Sequence, residues 1–314
     1  MQSRLRTTWD RAQEAVAWRT IRWHNRRFQQ RIEREFANRW RDFDVVYVQS
    51  NVTLASRVAL HHPTVLMLPG PVGADLAPAL RMVHAVCAHD DGLARMRAVL
   101  GDDVLELPLG LDTQLFSPGI NSVRSALGWG YRNRVVGYVG RLTQLKGIDL
   151  LANAFKNVSR TAAEARLLIV GSGEEEKSIR SILAEEIGRG TVHIEPAMVQ
   201  EQLPHWYRAM DLLVMPSRYE TMSNAVLEAM ACGIPFLASN VGGNKMIGQT
   251  GAGWLFESES VAALRACLGS VIQSRAEMKA RADIGYRYVQ ERYSWAASAK
   301  RLEWIMTSQL GVPG

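Results

Sequence analysis

Beyond residue 42, short β-type runs alternate with helix-length segments, and this alternation restricts the fold more than any other feature. A first series comprises "FDVVYV" (43–48), "TVLML" (64–68), "VHAVCA" (83–88) and "VLEL" (104–107). Helix-like segments around 51–60 and 90–100 separate some of these runs. A second series follows: "RVVGYV" (134–139), "RLLIV" (166–170), "TVHI" (191–194), "DLLVM" (211–215) and "PFLAS" (235–239). Strands joined through helices must be parallel, so the expectation is an α/β protein with helices on both faces of its sheets. The polar stretch 112–133, which carries Pro and Gly, divides the two series and marks a domain boundary; 314 residues are enough for two domains.

The composition is that of an ordinary globular protein, with 47% hydrophobic and 22% charged residues. There is no run of 18 apolar residues to span a membrane. The start lacks the apolar stretch of a secretory signal. Cys87, Cys232 and Cys267 are far apart and form no CxxC pair. That argues against a disulfide framework or a zinc site and fits a reducing cytoplasm. No metal site is expected.

The net charge of +6 is unevenly placed. Residues 1–41 hold eleven Arg, no Lys and four acids, a balance of 11 − 4 = +7, which leaves 6 − 7 = −1 for the rest. A nucleic-acid partner is therefore not expected for the body of the protein. Residues 4–41 contain no Gly or Pro. Trp9, Val16 and Trp23, and then Trp18, Ile21, Phe28, Ile32 and Phe36, recur at helical spacing. This is one long helix or two consecutive ones. It packs with its Arg stems along its flanks, lies on an anionic membrane surface, or, as a less favoured reading, serves as an RNA-binding arm. Acids interrupt the segment, against a mitochondrial transit peptide.

In open parallel sheets, ligands bind beyond the carboxyl ends of the strands. Four stretches of the second series stand there: "GRLTQLKG" (140–147), "GSGEEE" (171–176), "EPAMV" (195–199) and "PSRYET" (216–221). In the first, Gly140 allows close backbone approach, and Arg141 and Lys146 suit a diphosphate. The alternative is two surface cations in a loop. Gly171 and Gly173 make a tight turn into an acidic helix start, which by itself is weak support for a nucleotide site. The stretch "PSRYETMSNAVLEAMACGIPFLASNVGG" (216–243) carries Glu220 and Glu228. A helix over 222–232 is expected, capped by Thr221 or Ser223, with amides of its first turn facing an anion. Glu228, about two turns beyond Glu220, can accept from vicinal hydroxyls such as those of a ribose. Glu220 can reach a bound sugar. The alternative is a loop acid and a helix-surface acid. Yet Glu228 stands in the apolar run "NAVLEAMACG", where a buried carboxylate needs a partner.

From Pro108 to Val289 the chain resembles the retaining glycosyltransferases of family 4, the glycosyl transferases group 1. The resemblance rests on "LPLGLDTQLFSPG", "VGYVGRLTQLKGIDLL", "LLIVGSGEEE" and the stretch 216–243, in the family's order. The last contains the E-x7-E element, Glu220 to Glu228. "ERYSWAASAKRLEWI" is similar to the family's final helix. The fold implied is GT-B, two Rossmann-like domains facing across a cleft. They would comprise an acceptor-side domain (1–112), a nucleotide-sugar domain (113–294) and a helix (295–314) crossing back. By this resemblance Arg141 and Lys146 hold the donor diphosphate, and Glu228 binds the ribose. Glu220 contacts the transferred sugar, and Thr221, Met222, Ser223 and Asn224 offer amides to sugar and phosphate. Pro196 and Met198 pack by the base. The resemblance further implies retention through front-face displacement, with no cofactor and no catalytic metal.

The first domain departs from the family pattern. No glycine precedes Gly70, and the strand at 43–48 resembles one from the middle of the usual domain, so the expectation is a first domain without the opening strand and glycine-rich loop, through either truncation or a naturally short domain. The place of the family's first-domain histidine reads Leu68-Pro69-Gly70, and His61 and His62 precede the strand. Gly70 and Gly73 are the candidates for the acceptor side. "GGNKM" lacks the acid that often follows the glycine pair, and Lys245 stands near its place.

The expectation is a hexosyltransferase using a UDP- or GDP-linked donor and a glycan or lipid-linked acceptor. It would be cytoplasmic, or peripheral at the inner membrane face in envelope polysaccharide synthesis. One alternative is a non-catalytic nucleotide-sugar-binding subunit whose partner chain completes the N-terminal domain. Another is a GT-B phosphorylase or epimerase. Deleting residues 1–41 is expected to reduce binding to anionic vesicles in a co-sedimentation assay; equal binding by the truncated chain would remove the membrane role.

Overall fold

The computed structural model describes residues 31, 32, 34, 35, 39, 42–68, 73–120 and 122–312. Most of the Arg-rich segment 1–41, and Gly70, lie outside the described residues. Within that segment Arg31 pairs with Glu35 one helical turn away, and Ile32 packs against the first sheet's core.

The first unit runs β1 (Val46–Gln49), α1 (Val52–Val58), β2 (Thr64–Leu68), α2 (Ala77–Leu80), β3 (Ala85–Ala88), α3 (Asp90–Leu100) and β4 (Leu105–Glu106). The second begins with α4 (Val123–Ala126), β5 (Arg134–Val139), α5 (Ile148–Thr161), β6 (Ala165–Val170), α6 (Glu176–Ile182), α7 (Ala184–Gly188) and β7 (Val192–Glu195). It continues through α8 (Leu203–Tyr207), β8 (Leu212–Met215), α9 (Asn224–Ala231), β9 (Phe236–Ser239), α10 (Gly242–Gly248) and β10 (Gly253–Phe256). Helices α11 (Val261–Val271), α12 (Arg275–Arg292) and α13 (Trp295–Leu310) close the chain. β10 is not anticipated by the sequence reading.

The first sheet is parallel in the order β1-β2-β3-β4. Alternate residues of a strand face opposite sides. Val48, Leu66, Leu68 and Val86 therefore pack with Val58, Leu80 and Met96 of the three helices. Val65, Met67, Ala85 and Cys87 face the other way and are covered by Ile305 of α13, with Leu302 and Met306 beside it. Both faces are buried, which is why "TVLML" reads as an unbroken apolar run.

The second sheet is parallel in the order β10-β9-β8-β5-β6-β7. The chain starts at β5, moves outward to β7, then returns to β8 on the other flank. The winding thus reverses between β5 and β8, and a crevice opens beyond their carboxyl ends. One large core underlies this unit and takes in Leu111, Phe116 and Trp129 from the connecting stretch.

The chain passes between the units twice, and the two passages are tied together. The Leu111 amide donates to the Tyr293 carbonyl (2.7 Å), and the Trp295 amide donates to the Leu111 carbonyl (3.1 Å). Ser298 Oγ donates to the Pro108 carbonyl (3.1 Å), Arg301 Nε donates to the Glu106 carbonyl (2.9 Å), and Arg292 pairs with Glu106. Helix α13 thereby returns to the first sheet as its outer layer. Ile305→Ala is expected to lower stability by about 2–5 kcal/mol. Urea denaturation measures this; an unchanged midpoint would mean that α13 adds nothing to the first unit's core.

Candidate functional site

Two loops meet at the reversal point. After β5, Gln144–Lys146 form a single 3₁₀ turn, and Gly147 at φ +65° passes the chain into α5. A Cβ at Gly147 would lie 2.0 Å from the Pro216 carbonyl oxygen, so only glycine lets the turn rest on the backbone after β8. Arg218 fastens the contact. Its amide donates to the Leu145 carbonyl (2.9 Å), and its guanidinium reaches the Gln144 carbonyl. The guanidinium also makes a bidentate pair with Asp149, 2.8 Å at each oxygen. That pairing holds the Asp149 carboxyl below its ordinary value.

The clamp aims Lys146 at Glu220, with Nζ to Oε2 at 2.6 Å. Ser217 Oγ stands 3.3 Å from the same oxygen. Glu220 is buried, and Lys146 supplies the counter-charge that such a carboxylate needs. The Arg141 guanidinium is exposed, while its carbonyl accepts from the buried Tyr138 hydroxyl (2.7 Å).

Gly171 and Gly173 serve backbone packing. An added Cβ would lie 1.9 Å from the Gly140 carbonyl oxygen and 2.3 Å from that of Leu142. The Leu142 amide donates to Ser172 O (3.0 Å), and the Glu175 amide donates to Leu142 O (2.9 Å). Ser172 Oγ accepts from the Ala197 amide (3.0 Å), which draws in the loop after β7. The strand-end loops after β5, β6 and β7 are laced side by side.

Helix α9 is shorter than the expected 222–232. Ser223 caps it, accepting from the Val226 amide, and Thr221 and Met222 precede it. Glu228 is therefore one turn beyond Asn224, on the same face. Both line a cavity of about 220 Å³ with Gly110, Asp112, Glu201 and Trp295. Asn224 also lines a second cavity of about 220 Å³, with Gly140, Lys146, Glu220, Met222 and Ser223. The two glutamates thus open on two cavities that share Asn224.

Glu228 is 7% exposed, and its Oε2 accepts from the fully buried Tyr207 hydroxyl at 2.7 Å. Burial pushes its carboxyl up to about 7, and the Tyr207 bond pulls the other way. Pro196 and Met198 line a third cavity, of about 620 Å³, with Glu195, His205 and Trp206. His193 stacks on Trp206 with centroids 5.9 Å apart, and its Nε2 is 2.9 Å from Glu195 Oε2. Gly73 is exposed and lines none of these three cavities; nor does Lys245, exposed on α10.

Tyr207, Arg218, Asp112, Glu201 and Trp295 carry no functional reading in the sequence. The available signal for Tyr207 is chemical: a tyrosine in an apolar helix has a hydroxyl to satisfy.

The site belongs to a two-unit α/β protein with laced strand-end loops and two buried carboxylates on the β8 side of the winding reversal. Residues 133–274 match the family model described as glycosyl transferases group 1. A D-inositol 3-phosphate glycosyltransferase of Segniliparus rotundus is 34% identical over 234 residues, covering 72% of this chain and 52% of that protein. A GDP-mannose-dependent monoacylated alpha-(1-6)-phosphatidylinositol monomannoside mannosyltransferase of Corynebacterium glutamicum is 28% identical, covering 65% of this chain and 56% of that protein. Among solved structures, sucrose-phosphate synthase from Thermosynechococcus elongatus superposes with a TM-score of 0.74 at 20% identity, over 91% of this chain and 78% of that one. Anabaena HepE in complex with UDP superposes with a TM-score of 0.75 at 18% identity, over 90% and 82%. Residues 133–274 belong to the glycosyl transferases group 1 family, and the chain has the GT-B fold. It spans about half the length of the relatives that it matches in sequence.

Glu228 yields a stability prediction. Its folded-state carboxyl sits above the unfolded value of 4.5, so its contribution is present below 4.5 and lost as pH rises to about 7. Glu228→Gln is expected to stabilise the fold more at pH 8 than at pH 4, by on the order of 3 kcal/mol at most, read as a larger rise in melting temperature at pH 8. Equal effects at both pH values would mean that the carboxyl is not desolvated.

Proposed function

We propose that the chain is a retaining glycosyltransferase moving a hexosyl-type sugar from a UDP- or GDP-linked donor to a glycan or lipid-linked hydroxyl. The observation that carries this reading is the pair Glu220 and Glu228, buried and facing adjoining cavities with different neighbours. Lys146 stands by one and Tyr207 by the other. A nucleoside diphosphate fits their order. The base lies by Pro196 and Met198, and the ribose hydroxyls donate to Glu228. The diphosphate lies by Arg141, Lys146 and the amides at Thr221–Asn224, and the sugar reaches Glu220. Relatives and neighbours support such a ligand, since one is named as GDP-mannose-dependent and HepE was crystallised with UDP-glucose.

In the reaction, the bond between the anomeric carbon and the phosphate oxygen breaks as the acceptor oxygen approaches from the same face. The acceptor proton passes to the leaving diphosphate. Negative charge grows on that diphosphate, and Lys146 and Arg141 stabilise it from fixed positions. A Glu228 engaged with ribose is not available as a nucleophile, so two-step double displacement is not invoked. Residues 1–41, at +7, dock the enzyme on the inner membrane face, where a lipid-linked acceptor is displayed.

A second reading rests on the first sheet. Among the described residues β1 pairs on one side only, and Tyr47 on it is 42% exposed. A partner chain that completes this sheet would make the protein a nucleotide-sugar-binding subunit.

Thermal unfolding with UDP, GDP and ADP, with and without linked sugars, tests both. A ligand at ~100 times its dissociation constant adds roughly 2.7 kcal/mol to the folded state. One nucleotide is expected to raise the melting temperature selectively. Glu228→Ala should weaken that binding, and Glu220→Ala should spare it while lowering turnover. Equal affinity in wild type and Glu228→Ala would overturn the ribose assignment. No response to any nucleotide would mean that the cleft is incomplete, and the test then turns to a partner chain or a longer gene start.

A further inference from the structure

Tyr207 ends α8 with its side chain wholly buried, and its ring meets Phe116 edge-on, with centroids 6.0 Å apart and planes at 71°. A phenol in such a core must place its proton on an acceptor. That acceptor is Glu228 Oε2, at 2.7 Å. Among the described residues no other side chain donates to Glu228. The bond engages Oε2 and leaves Oε1 without a side-chain donor among the described residues, and Glu228 lines the cavity.

We infer that Tyr207 is a positioning residue, whose hydroxyl fixes the Glu228 carboxylate toward the cavity as a pure acceptor for the vicinal hydroxyls of a ribose. The inference rests on the proposed ribose role of Glu228. An ionised carboxylate accepts from both hydroxyls of a vicinal pair, whereas a protonated one gives up an acceptor position. Burial favours the protonated form of Glu228, and the Tyr207 hydroxyl opposes it. Asp112 and Glu201 line the same cavity, and Cys232, the C-cap of α9, lies one turn on, with Arg208 acting on its thiol.

The experiment is a calorimetric titration of the full chain with whichever of UDP or GDP it binds, and with the 2′,3′-dideoxy form of that nucleotide, from pH 6 to pH 8.5. Tyr207→Phe is expected to weaken the ribonucleotide about tenfold at pH 7, the size of one hydrogen bond to a charged group. It should leave the dideoxy affinity nearly unchanged and move the pH midpoint of ribonucleotide affinity upward. In a Glu228→Gln background it should add little further loss. Equal loss for both nucleotides, full additivity with Glu228→Gln, or an unmoved midpoint would overturn the inference and leave Tyr207 a packing residue. If Tyr207→Phe does not fold, Phe116→Leu loosens the ring while keeping the hydroxyl. Reduced ribose discrimination is then expected, and unchanged discrimination overturns the inference. Failure of the underlying reading looks different: the wild type would bind ribo and dideoxy forms equally, and Glu228→Gln would change neither.

Discussion

The site depends on a backbone contact that only a hydrogen atom permits. At Gly147 the turn after β5 rests on the Pro216 carbonyl, and no side chain fits between them. This brings Lys146, from one flank of the winding reversal, to Glu220, from the other. Arg218 then holds both loops through Gln144, Leu145 and Asp149. Without this contact the two charges would belong to separate surface loops, which is how each looks in isolation.

The two glutamates are buried to a similar degree but are balanced by different means. Glu220 has the Lys146 ammonium group beside it. Glu228 has a phenol, which can lend a proton without carrying charge. One carboxylate is therefore tied to a cation that an anionic ligand also seeks. The other is poised between its two protonation states. The division suits a ligand with a charged middle and a neutral, hydroxyl-bearing end.

The parallel α/β architecture was legible because most strands are buried on both faces. "TVLML" and "RVVGYV" match β2 and β5 residue for residue. β10 was not legible. Its four residues "GWLF" begin with a glycine, and its middle two are only half-buried, so it reads as a loop until it pairs with β9. The E-x7-E spacing marked both carboxylates, but the start of α9 was misplaced because Thr221 and Ser223 can both cap a helix. The partner of Glu228 was hidden for another reason. Tyr207 lies 21 residues away on a different helix, and only the packing of α8 against α9 joins them. Gly171 and Gly173 were visible as glycines, but their use, in joining two loops, depends on neighbours distant in sequence.

Trp295 and Gly110 face each other where the chain passes between the units, and Leu111 and Ser294 are bridged beside them. The same Trp295 and Gly110 form a wall of the cavity that holds Glu228. The axle of the molecule is thus also part of its grip. Any swing of one unit against the other turns about residues that border the Glu228 carboxylate, so the angle of the cleft and the shape of that cavity cannot vary independently.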